Sequence, residues 1–493
     1  MKVALVLCPR WDRGYTLASF GLLSAHLKRR GHEVELIDLN HTMGLLNFIA
    51  GIDENTQTGL CDLGLSMDFT HGVLSSCAGW LQSVARRILS NGCRVVGFSV
   101  YYSNSRICLA FAKILKELDS EVKIVFGGPD CLTFPTCLDY VQGGVADAVV
   151  FGEGDISFPR LIDGFAAVGR LRAGPGVLLK GEESTWREDQ ETLEKLDDLP
   201  YADYAGFPGL RSYAGKMIHT ARGCIRKCVF CRDWREMRFR RMSGRRIFDE
   251  MAHQLGEHPD MNRFVFGDSI LNSSMPDILG FCNLARAHGL DAAWEGYAIV
   301  RPDMTPQALE TMRRAGCRRL WYGIESGSGR LLRDMDKGVP PALNAEVLRR
   351  TARAGVKTLA TWMVGFPSET EELFEESLAF LKANAQNIGH LAVSIFSIRE
   401  MQNVCGRFDL DPGQDQMFWR TRDGKNTFPL RLERARRTLE IAAEAGITTA
   451  LCWEVPLSRW DAYAAQALGY YESWMASRRN SAAESNAASA GRA

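Results

Sequence analysis

Three cysteines constrain this chain more than any other feature. Cys224, Cys228 and Cys231 are separated by three residues and then by two. A tetrahedral zinc site needs four ligands, whereas a four-iron, four-sulfur (4Fe–4S) cluster bound by three thiolates keeps one iron open for another ligand. The spacing therefore predicts such a cluster, and a structural zinc site or three ordinary packed thiols is the alternative.

The sequence on either side places the cysteines on a loop. Residues 216–220 predict a short strand, and residues 245–256 have the periodicity of an amphipathic helix. No second pair of cysteines with CxxC spacing follows at the distance that zinc fingers use. Both observations favour the cluster over zinc.

The cysteine segment, with the aromatic Phe230 just before its last cysteine, resembles the radical S-adenosylmethionine (SAM) superfamily. The resemblance implies that the three cysteines ligate the cluster and are the catalytic residues, with Phe230 among the residues that bind the cofactor. It also implies that the amino and carboxylate groups of SAM bind the open iron, and that an electron from the cluster cleaves a C–S bond of SAM.

The composition indicates a large cytoplasmic enzyme. A chain of 493 residues is long enough for about three domains. Lys and Arg together number 59, as do Asp and Glu, so the formal net charge is zero and no nucleic-acid or membrane partner is predicted. No apolar run is long enough to span a bilayer, the first residues carry no signal-cleavage pattern, and the 14 cysteines are expected to be reduced thiols.

Residues 1–173 predict an α/β domain with a doubly wound, Rossmann-like parallel sheet, because short β-rich runs alternate with helical patterns. The ligands of such sheets bind in the loops beyond the carboxyl ends of the strands. Residues 41–78 interrupt the alternation and predict an insertion over that edge. The expected strands are 2–7, 32–39, 94–100, 122–126 and 146–151.

Three loops at the ends of these strands are rich in glycine, which permits close approach of a ligand to the backbone. Together and in this order they resemble the cobalamin-binding domain that precedes the radical domain in one large subgroup of the superfamily. The resemblance implies that this domain binds cobalamin through Tyr102, Ser103, Asn104, Gly127, Gly128, Gly152, Glu153 and Gly154.

The chain departs from one cobalamin pattern. Folds that ligate cobalt through histidine carry Asp-x-His-x-x-Gly after the first strand, and the nearest match here, which contains His41, has its spacing off by one and follows the second strand. His41 is therefore interpreted as a turn residue, and cobalamin is expected without a histidine ligand. A domain that keeps the fold but has lost the cofactor is the alternative.

After a linker at residues 174–212, residues 213–395 repeat strand–helix units. Six such units predict a partial (βα)6 barrel of the TIM type, with the reactive site at the carboxyl ends of the strands. The expected strands are 217–220, 263–266, 292–297, 319–322, 358–364 and 390–395.

Polar residues near the ends of these strands are candidates for binding SAM. Asp268 and Ser269 follow the second strand, where a carboxylate would stabilise the amino group of SAM. Glu295 is expected to meet the ribose hydroxyls, and Arg301 the carboxylate of SAM. An ordinary surface or helix-capping role is the alternative for each.

Two later segments strengthen the resemblance to the superfamily. Residues 323–328 resemble its Gly-x-Glu-Ser-Gly segment, which implies that Gly323, Glu325 and Ser326 line the SAM pocket. Val364 and Gly365 match the segment that contacts adenine.

The remaining sequence is expected to supply substrate specificity in a small, mostly helical region, residues 396–476. Cys405 and Cys452 are candidates for cluster ligands, substrate ligands or hydrogen-atom donors, with simple packing as the alternative. No auxiliary cluster is expected. Residues 477–493, rich in Ser, Ala and Asn, predict a disordered tail.

Together these features predict a cobalamin-dependent radical methyltransferase that acts on an unactivated carbon or a phosphinate-type phosphorus of a small molecule in specialised metabolism. Flavodoxin or ferredoxin would be the external electron donor. One alternative is transfer of the 3-amino-3-carboxypropyl group of SAM to a soft nucleophile such as arsenite, with an empty cobalamin-like domain. The other is a non-catalytic cobalamin or iron–sulfur sensor.

Overall fold

The structure, a computed structural model, describes residues 1–9, 14–40, 67–183, 189, 191–398, 406–411, 415–451 and 455–490. Two parallel sheets, each covered by helices, make up most of this part of the chain. None of the described helices combines the length and apolar character needed to cross a bilayer.

The first sheet has six strands in the order β2-β1-β3-β4-β5-β6. The first five are parallel, and β6 pairs antiparallel with β5 at the edge. The order reverses between β1 and β3, which is where ligands of doubly wound sheets bind. The strands are β1 (Lys2–Leu7), β2 (Glu33–Asp38), β3 (Val95–Ser99), β4 (Lys123–Gly127), β5 (Ala148–Val150) and β6 (Val177–Leu179). The helices are α1 (Ala18–Arg29), α2 (Met67–Ser90), α3 (Ser105–Leu118), α4 (Phe134–Gln142) and α5 (Gly154–Val168).

The second sheet has seven parallel strands, and each lies beside the one that precedes it in the sheet along the chain. A separate antiparallel pair, β8 and β9, follows its first strand. The strands are β7 (Lys216–Ile218), β8 (Ala221–Arg222), β9 (Arg240–Arg241), β10 (Arg263–Phe266), β11 (Ala293–Ala298), β12 (Cys317–Glu325), β13 (Lys357–Val364), β14 (His390–Ile395) and β15 (Thr448–Leu451). The helices are α6 (Asp233–Glu236), α7 (Gly244–Glu257), α8 (Met275–Ala287), α9 (Pro306–Arg314), α10 (Gly329–Asp334), α11 (Pro341–Arg353), α12 (Glu371–Asn384), α13 (Phe428–Glu444) and α14 (Trp460–Ala490).

Local sequence signals set where several of these helices begin. The side chains of Ser243, Ser274, Thr305 and Thr370 each accept a hydrogen bond from a backbone N–H in the first turn of α7, α8, α9 and α12. Such caps satisfy N–H groups that have no partner within the helix. Proline in the first turn of α8 and α9 adds a residue whose backbone is already suited to that position.

The α/β fold with parallel sheets is confirmed, but the structure assigns two strands differently from the sequence. Residues 177–179, expected in the linker, form β6 and extend the first sheet. Residues 448–451, a β-like run within the region expected to be mostly helical, form β15 and make the second sheet one strand longer than the six predicted. Both strands are short and apolar, so their sequences carry no clear alternating pattern. Their place in a sheet is set by the exposed edge of the neighbouring strand with which they pair.

Helices also occupy parts of two segments for which the sequence predicted no helix, the insertion at 41–78 and the tail. Residues 67–78, the last part of the expected insertion, belong to α2, whereas 41–66, and His41 with them, lie outside the described residues. The tail to residue 490 continues α14, because a run rich in alanine has a high helix propensity despite its low hydrophobicity.

A buried ion-pair network joins the two sheets. Arg222 in β8 donates hydrogen bonds to Glu153 (2.6 Å) and to Asp155, and Arg240 in β9 also binds Glu153 (3.1 Å). These four side chains are at most 12% exposed. Burial alone would raise the pKa of Asp155, but the charge and hydrogen bonds of Arg222 outweigh it and hold that pKa well below its usual range. The network therefore ties the loop after β5 to the β8–β9 pair.

Replacing Arg222 by methionine tests the energetic weight of this network. The variant R222M leaves buried carboxylates short of a cation, so we expect the free energy of unfolding to fall by about 3–5 kcal/mol. In the control variant R238M the lost partner is Glu194, and both side chains of that pair are about two-thirds exposed, at 66% and 67%. R238M should change the free energy of unfolding by less than about 1 kcal/mol, and urea titrations measure both values.

The dependence of stability on pH in the wild-type protein and in R222M provides a second test of the network. Because the pKa of Asp155 is lower in the folded state than its usual value of 3.8, the stabilisation is present above that pH and lost as the pH falls through this region. The wild-type protein should therefore lose more stability than R222M between about pH 5 and pH 3. Equal losses in the two proteins would show that the ion pair carries little energy.

Candidate functional site

The three cysteines lie on one loop, residues 223–232, between β8 and α6. Their side chains line a single cavity of about 330 Å³ at the carboxyl ends of the strands of the second sheet. Cys228 is the most buried of the three, at 6% exposed. The backbone N–H of Cys231 donates to the carbonyl of Cys228 (3.1 Å), and that of Arg226 donates to Sγ of Cys224 (3.4 Å). The loop backbone thus holds the thiols toward the cavity.

Burial makes all three thiols weak acids in the metal-free protein. It raises the pKa of Cys231 to about 12 and raises those of Cys224 and Cys228. Iron binding must therefore displace protons from the thiols. Among the residues that the structure describes, no three Cys, His, Asp or Glu side chains are grouped so as to hold one metal ion. Thiolates that each bind a different iron of a cluster are necessarily further apart than the ligands of one ion.

A buried ion pair forms another wall of the cysteine cavity. Nζ of Lys337 lies 3.1 Å from Oε1 of Glu325 and 5.6 Å from the centre of the Phe230 ring. Burial lowers the pKa of Lys337, but Glu325 and Cys228 outweigh this effect and the net pKa is raised. Glu325 has a φ of +64°, a strained conformation for a residue with a side chain. Its carboxylate also accepts a hydrogen bond from Thr361 (3.1 Å).

Asp268 connects the cavity to the start of the cysteine loop. Its carboxylate accepts hydrogen bonds from the backbone N–H of Thr220 (2.7 and 2.9 Å) and from the hydroxyl of the same residue. The neighbouring Ser269 donates to Asp233 in α6. The Asp268 carboxylate is thus already used to position Thr220, four residues before the first cysteine.

A second and larger cavity, of about 460 Å³, lies between the two sheets. The loops after β3, β4 and β5 line one side of it, and residues from β7 to α6 line the other. The two cavities share Asp233, Gly267, Asp268 and Ser269 in their walls. Two molecules bound in the two cavities would therefore be neighbours, separated only by these shared residues.

The glycines of this second cavity serve two different purposes. A Cβ on Gly128, whose φ is +106°, would lie 2.9 Å from backbone atoms of Val100, so the sheet itself requires glycine there. A Cβ on Gly127 would lie no closer than 3.6 Å to any protein atom, in ordinary contact with Val150. The fold therefore leaves room for a Cβ at Gly127, and the absence of a side chain there leaves more space in the cavity.

The structure brings together about half of the residues predicted to bind cofactors. Phe230, Asp268, Ser269, Gly323 and Glu325 line the cysteine cavity. The larger cavity is lined by Gly127, Gly128, Gly152, Glu153 and Gly154. Their roles in binding stay predictions.

Two of the predicted SAM-binding residues are engaged elsewhere and line neither cavity. Glu295 lies in the middle of β11, where it accepts a hydrogen bond from Tyr15 (2.5 Å) and faces Arg319 (3.4 Å). Arg301 is held by Asp303 through two hydrogen bonds of 2.7 and 2.8 Å.

The other predicted residues also lie outside the lining of the two cavities, and contacts within the protein are known for two of them. Ser326 bonds to Ser377 (2.8 Å), and Asn104 bonds to the backbone of Tyr101 (2.8 Å) and of Cys8 (3.2 Å). Val364, Gly365, Tyr102 and Ser103 also lie outside the lining of both cavities, and Tyr102 is 41% exposed. Cys405 and Cys452 lie outside the described residues.

Several lining residues were missed by the sequence interpretation. Lys337 follows α10 and carries no motif of its own, and Tyr101 was passed over for its neighbour. Asp233 and His219 flank the cysteine loop, and their proximity in sequence to the cysteines was the only available signal. Charge pairing between distant segments has no sequence pattern, so Arg222 was not predicted.

Comparison with known proteins identifies the family of the residues that form most of the second sheet. Residues 218–381 match the model of the radical SAM superfamily. They are a radical SAM domain. The predicted superfamily is therefore confirmed, and its members use a 4Fe–4S cluster and SAM.

Named relatives extend over more of the chain. An uncharacterised methyltransferase, PH0819, from Pyrococcus horikoshii is 26% identical over 347 residues, which is 69% of this chain and 72% of the relative. The cobalamin-dependent radical SAM methyltransferase TokK from Streptomyces tokunonensis is 29% identical over 230 residues, 43% of this chain and 32% of its own length.

A solved structure shows that the whole fold has a precedent. The radical SAM methyltransferase TsrM from Kitasatospora setae, solved with tryptophan and a SAM analogue, aligns with a TM-score of 0.64 at 15% identity. The alignment covers 98% of this chain and 99% of that one. At this identity the likeness shows the fold alone.

The substitution G365A tests whether Gly365 is required for the packing of the protein or only for the predicted contact with adenine. The φ of Gly365 is +79°, and a Cβ would lie 2.1 Å from Cδ of the buried Arg431. We expect G365A to lower the free energy of unfolding by about 3 kcal/mol or more, because both strain and overpacking act. In the control, Gly355 has a φ of +74° but ordinary space, with Arg313 at 3.5 Å, so G355A should cost only about 1–2 kcal/mol.

Urea unfolding of both variants decides between the two roles. If Gly365 served only to admit adenine, G365A would unfold like G355A and would differ from it only in SAM binding.

Proposed function

We propose that this protein is a cobalamin-dependent radical SAM enzyme that methylates a small molecule. The observation that carries the proposal is the junction of the two cavities at Asp233, Gly267, Asp268 and Ser269. A cluster with SAM in one cavity and cobalamin in the other would be adjacent without any rearrangement of the chain. The relatives named as methyltransferases support the same reaction.

The chemistry of the donor set fits a 4Fe–4S cluster. Cys224, Cys228 and Cys231 are free thiols that face one cavity, and soft thiolates are the ligands that such clusters use. Lys337 in the same cavity is already paired with Glu325, so the irons would supply the positive charge that balances the three thiolates. These three cysteines would hold the cluster and leave one iron for SAM.

The larger cavity fits a cofactor that packs against glycine. Gly127 leaves space that a Cβ would fill, and apolar side chains such as Phe20 and Phe158 line the same cavity. The one histidine among the residues that line it, His219, comes from the radical domain. The loops of the first sheet that the structure describes would therefore hold cobalamin without a histidine ligand of their own.

When bound, the cluster supplies the electron that cleaves SAM, and cobalamin carries the methyl group. The residues of this chain bind and position the reactants. Thr220, held by Asp268, sets the start of the cysteine loop, and the Arg222 network keeps the two cavities facing each other. The largely apolar walls of the larger cavity would pack against the apolar edges of a bound cofactor.

Loss of a cysteine ligand tests the cluster and the reaction. After anaerobic reconstitution with iron and sulfide, the wild-type protein should show the absorbance of a 4Fe–4S cluster and cleave SAM in the presence of dithionite. C228S should bind substoichiometric iron and lose SAM cleavage by at least about a hundredfold, because one iron lacks its ligand. C282S removes a fully buried thiol in α8 and should keep both properties.

The products of SAM distinguish the reactions. In the presence of cobalamin and substrate, 5′-deoxyadenosine together with S-adenosylhomocysteine supports methyl transfer. Methylthioadenosine would replace the proposal with aminocarboxypropyl transfer. A reconstituted cluster with no cleavage of SAM would leave the sensor as the better description.

Filling the space at Gly127 tests cobalamin binding by itself. The Cβ of G127V would lie in ordinary contact with Val150, at 3.6 Å, and its γ-methyl groups would occupy further space beside the cavity. We expect hydroxocobalamin to bind the wild-type protein and to survive gel filtration, as measured by its visible absorbance, and to be lost from G127V. Iron content and melting temperature should stay unchanged in G127V, and cobalamin bound equally by both proteins would place it outside this cavity.

A further inference from the structure

We propose that Arg232 couples the two cofactor sites, so that the protein binds cobalamin more tightly when its cluster is in place. The inference deepens the proposed function and rests on it, because coupling of this kind needs both cofactors. Arg232 directly follows Cys231, the last cysteine of the loop, and its side chain lines the larger cavity. It is therefore next to a proposed cluster ligand and also in the wall of the proposed cobalamin site.

The guanidinium of Arg232 joins the cysteine loop to the first sheet. Its Nη2 donates a hydrogen bond to the carbonyl of Pro129 (2.6 Å), in the loop after β4. Its Nε donates to Oε2 of Glu236 in α6 (2.9 Å), which keeps the planar group in one orientation. The position of Pro129 is therefore tied to the end of the cysteine loop.

The segment that Arg232 holds supports the walls of the larger cavity. Residues 129–131 form one turn of a 3-10 helix. The backbone of this turn is hydrogen-bonded to that of Val100 (3.1 Å), after β3, and to that of Gly152 (3.2 Å), after β5. The three loops that line the cavity on the side of the first sheet therefore meet at this turn, and a shift of the turn would move all three.

The two ends of the cysteine loop are held to different degrees in the metal-free protein. Near the first end, the side chain of Arg222 is 12% exposed and belongs to the buried ion-pair network, so its position does not require iron. At the second end, the side chain of Arg232 is 37% exposed. The neighbouring Cys231 would gain a bond to iron only when a cluster forms. Cluster formation would therefore restrict the second end of the loop, and with it the bridge to Pro129.

Restriction of the bridge by one cofactor favours binding of the other. A cofactor that orders a loop loses part of its binding free energy to the entropy of that loop, and a second cofactor then binds to a site that is already ordered. The coupling of two binding equilibria is reciprocal, so cobalamin must stabilise the cluster if the cluster strengthens the binding of cobalamin. Couplings of this kind typically change an affinity by about 5- to 150-fold.

A comparison of cobalamin affinity with and without the cluster tests the proposal. The full chain is prepared anaerobically, either with a reconstituted cluster or free of iron, and the iron content of each sample is measured. Methylcobalamin is the probe, because its methyl group already occupies an axial position of cobalt that a free thiol would otherwise take. Equilibrium dialysis in dim light, read by visible absorbance, gives the dissociation constant of each form. The ratio of the two constants measures the coupling, since a contact that Arg232 makes equally in both forms cancels.

We expect the wild-type protein to bind methylcobalamin at least about fivefold more tightly with the cluster than without it. In R232M the bridge to Pro129 is lost, so the ratio should fall below about twofold. The control R238M makes the same change at an arginine whose side chain is 66% exposed, and it should keep the wild-type ratio. The melting temperature of R232M should stay close to that of the wild-type protein, because the ion pair of Arg232 with Glu236 is partly exposed and carries little energy.

A second measurement follows the coupling in the other direction. Saturating methylcobalamin should protect the cluster of the wild-type protein but not that of R232M, measured as the fraction of iron retained after exposure to the chelator EDTA. Equal affinities of the two wild-type forms, or an unchanged ratio in R232M, would overturn the coupling and leave the proposed function intact. Failure of methylcobalamin to bind either wild-type form would instead overturn the cobalamin-dependent function, and this inference with it.

Discussion

A buried ion-pair network, the pairing of Arg222 and Arg240 with Glu153 and Asp155, joins the loop after β5 of the first sheet to the β8–β9 pair that precedes the rest of the second sheet. Charges at most 12% exposed are stable only when each has its partner, so the network allows one arrangement of the loop after β5 against the β8–β9 pair. That arrangement brings the larger cavity against the cysteine cavity.

The same requirement for partners explains the cysteine cavity. Desolvation disfavours thiolates, and the metal-free thiols accordingly have raised pKa values. The fold places the cation of Lys337 and the carboxylate of Glu325 in the same wall, where they balance each other. Iron would supply the remaining positive charge. Without metal the protonated thiols are neutral, and a bound cluster would replace their protons with iron.

Sequence patterns predicted the strands well and the roles of single side chains less well. Strands such as Arg263–Phe266 and His390–Ile395 matched their predicted ranges because apolar runs between turns are local signals. Glu295 was predicted to meet the ribose, and the structure adds that it lies in mid-strand and accepts a hydrogen bond from Tyr15, which precedes α1. Gly365 matched a motif, yet its positive φ serves the packing of Arg431. A motif locates a residue along the chain but does not state what that residue contacts.

The order of amino acids by itself determined the superfamily, the predicted cluster ligands and the two α/β units, because cysteine spacing and hydrophobic periodicity are properties of short segments. Only the tertiary structure decided that β6 extends the first sheet and β15 the second, that Lys337 lines the cysteine cavity, and that the two cavities share one wall. These features depend on contacts between residues far apart in the chain. Such contacts form only where burial and charge pairing outweigh the entropy lost on ordering the chain, and no local pattern encodes that balance.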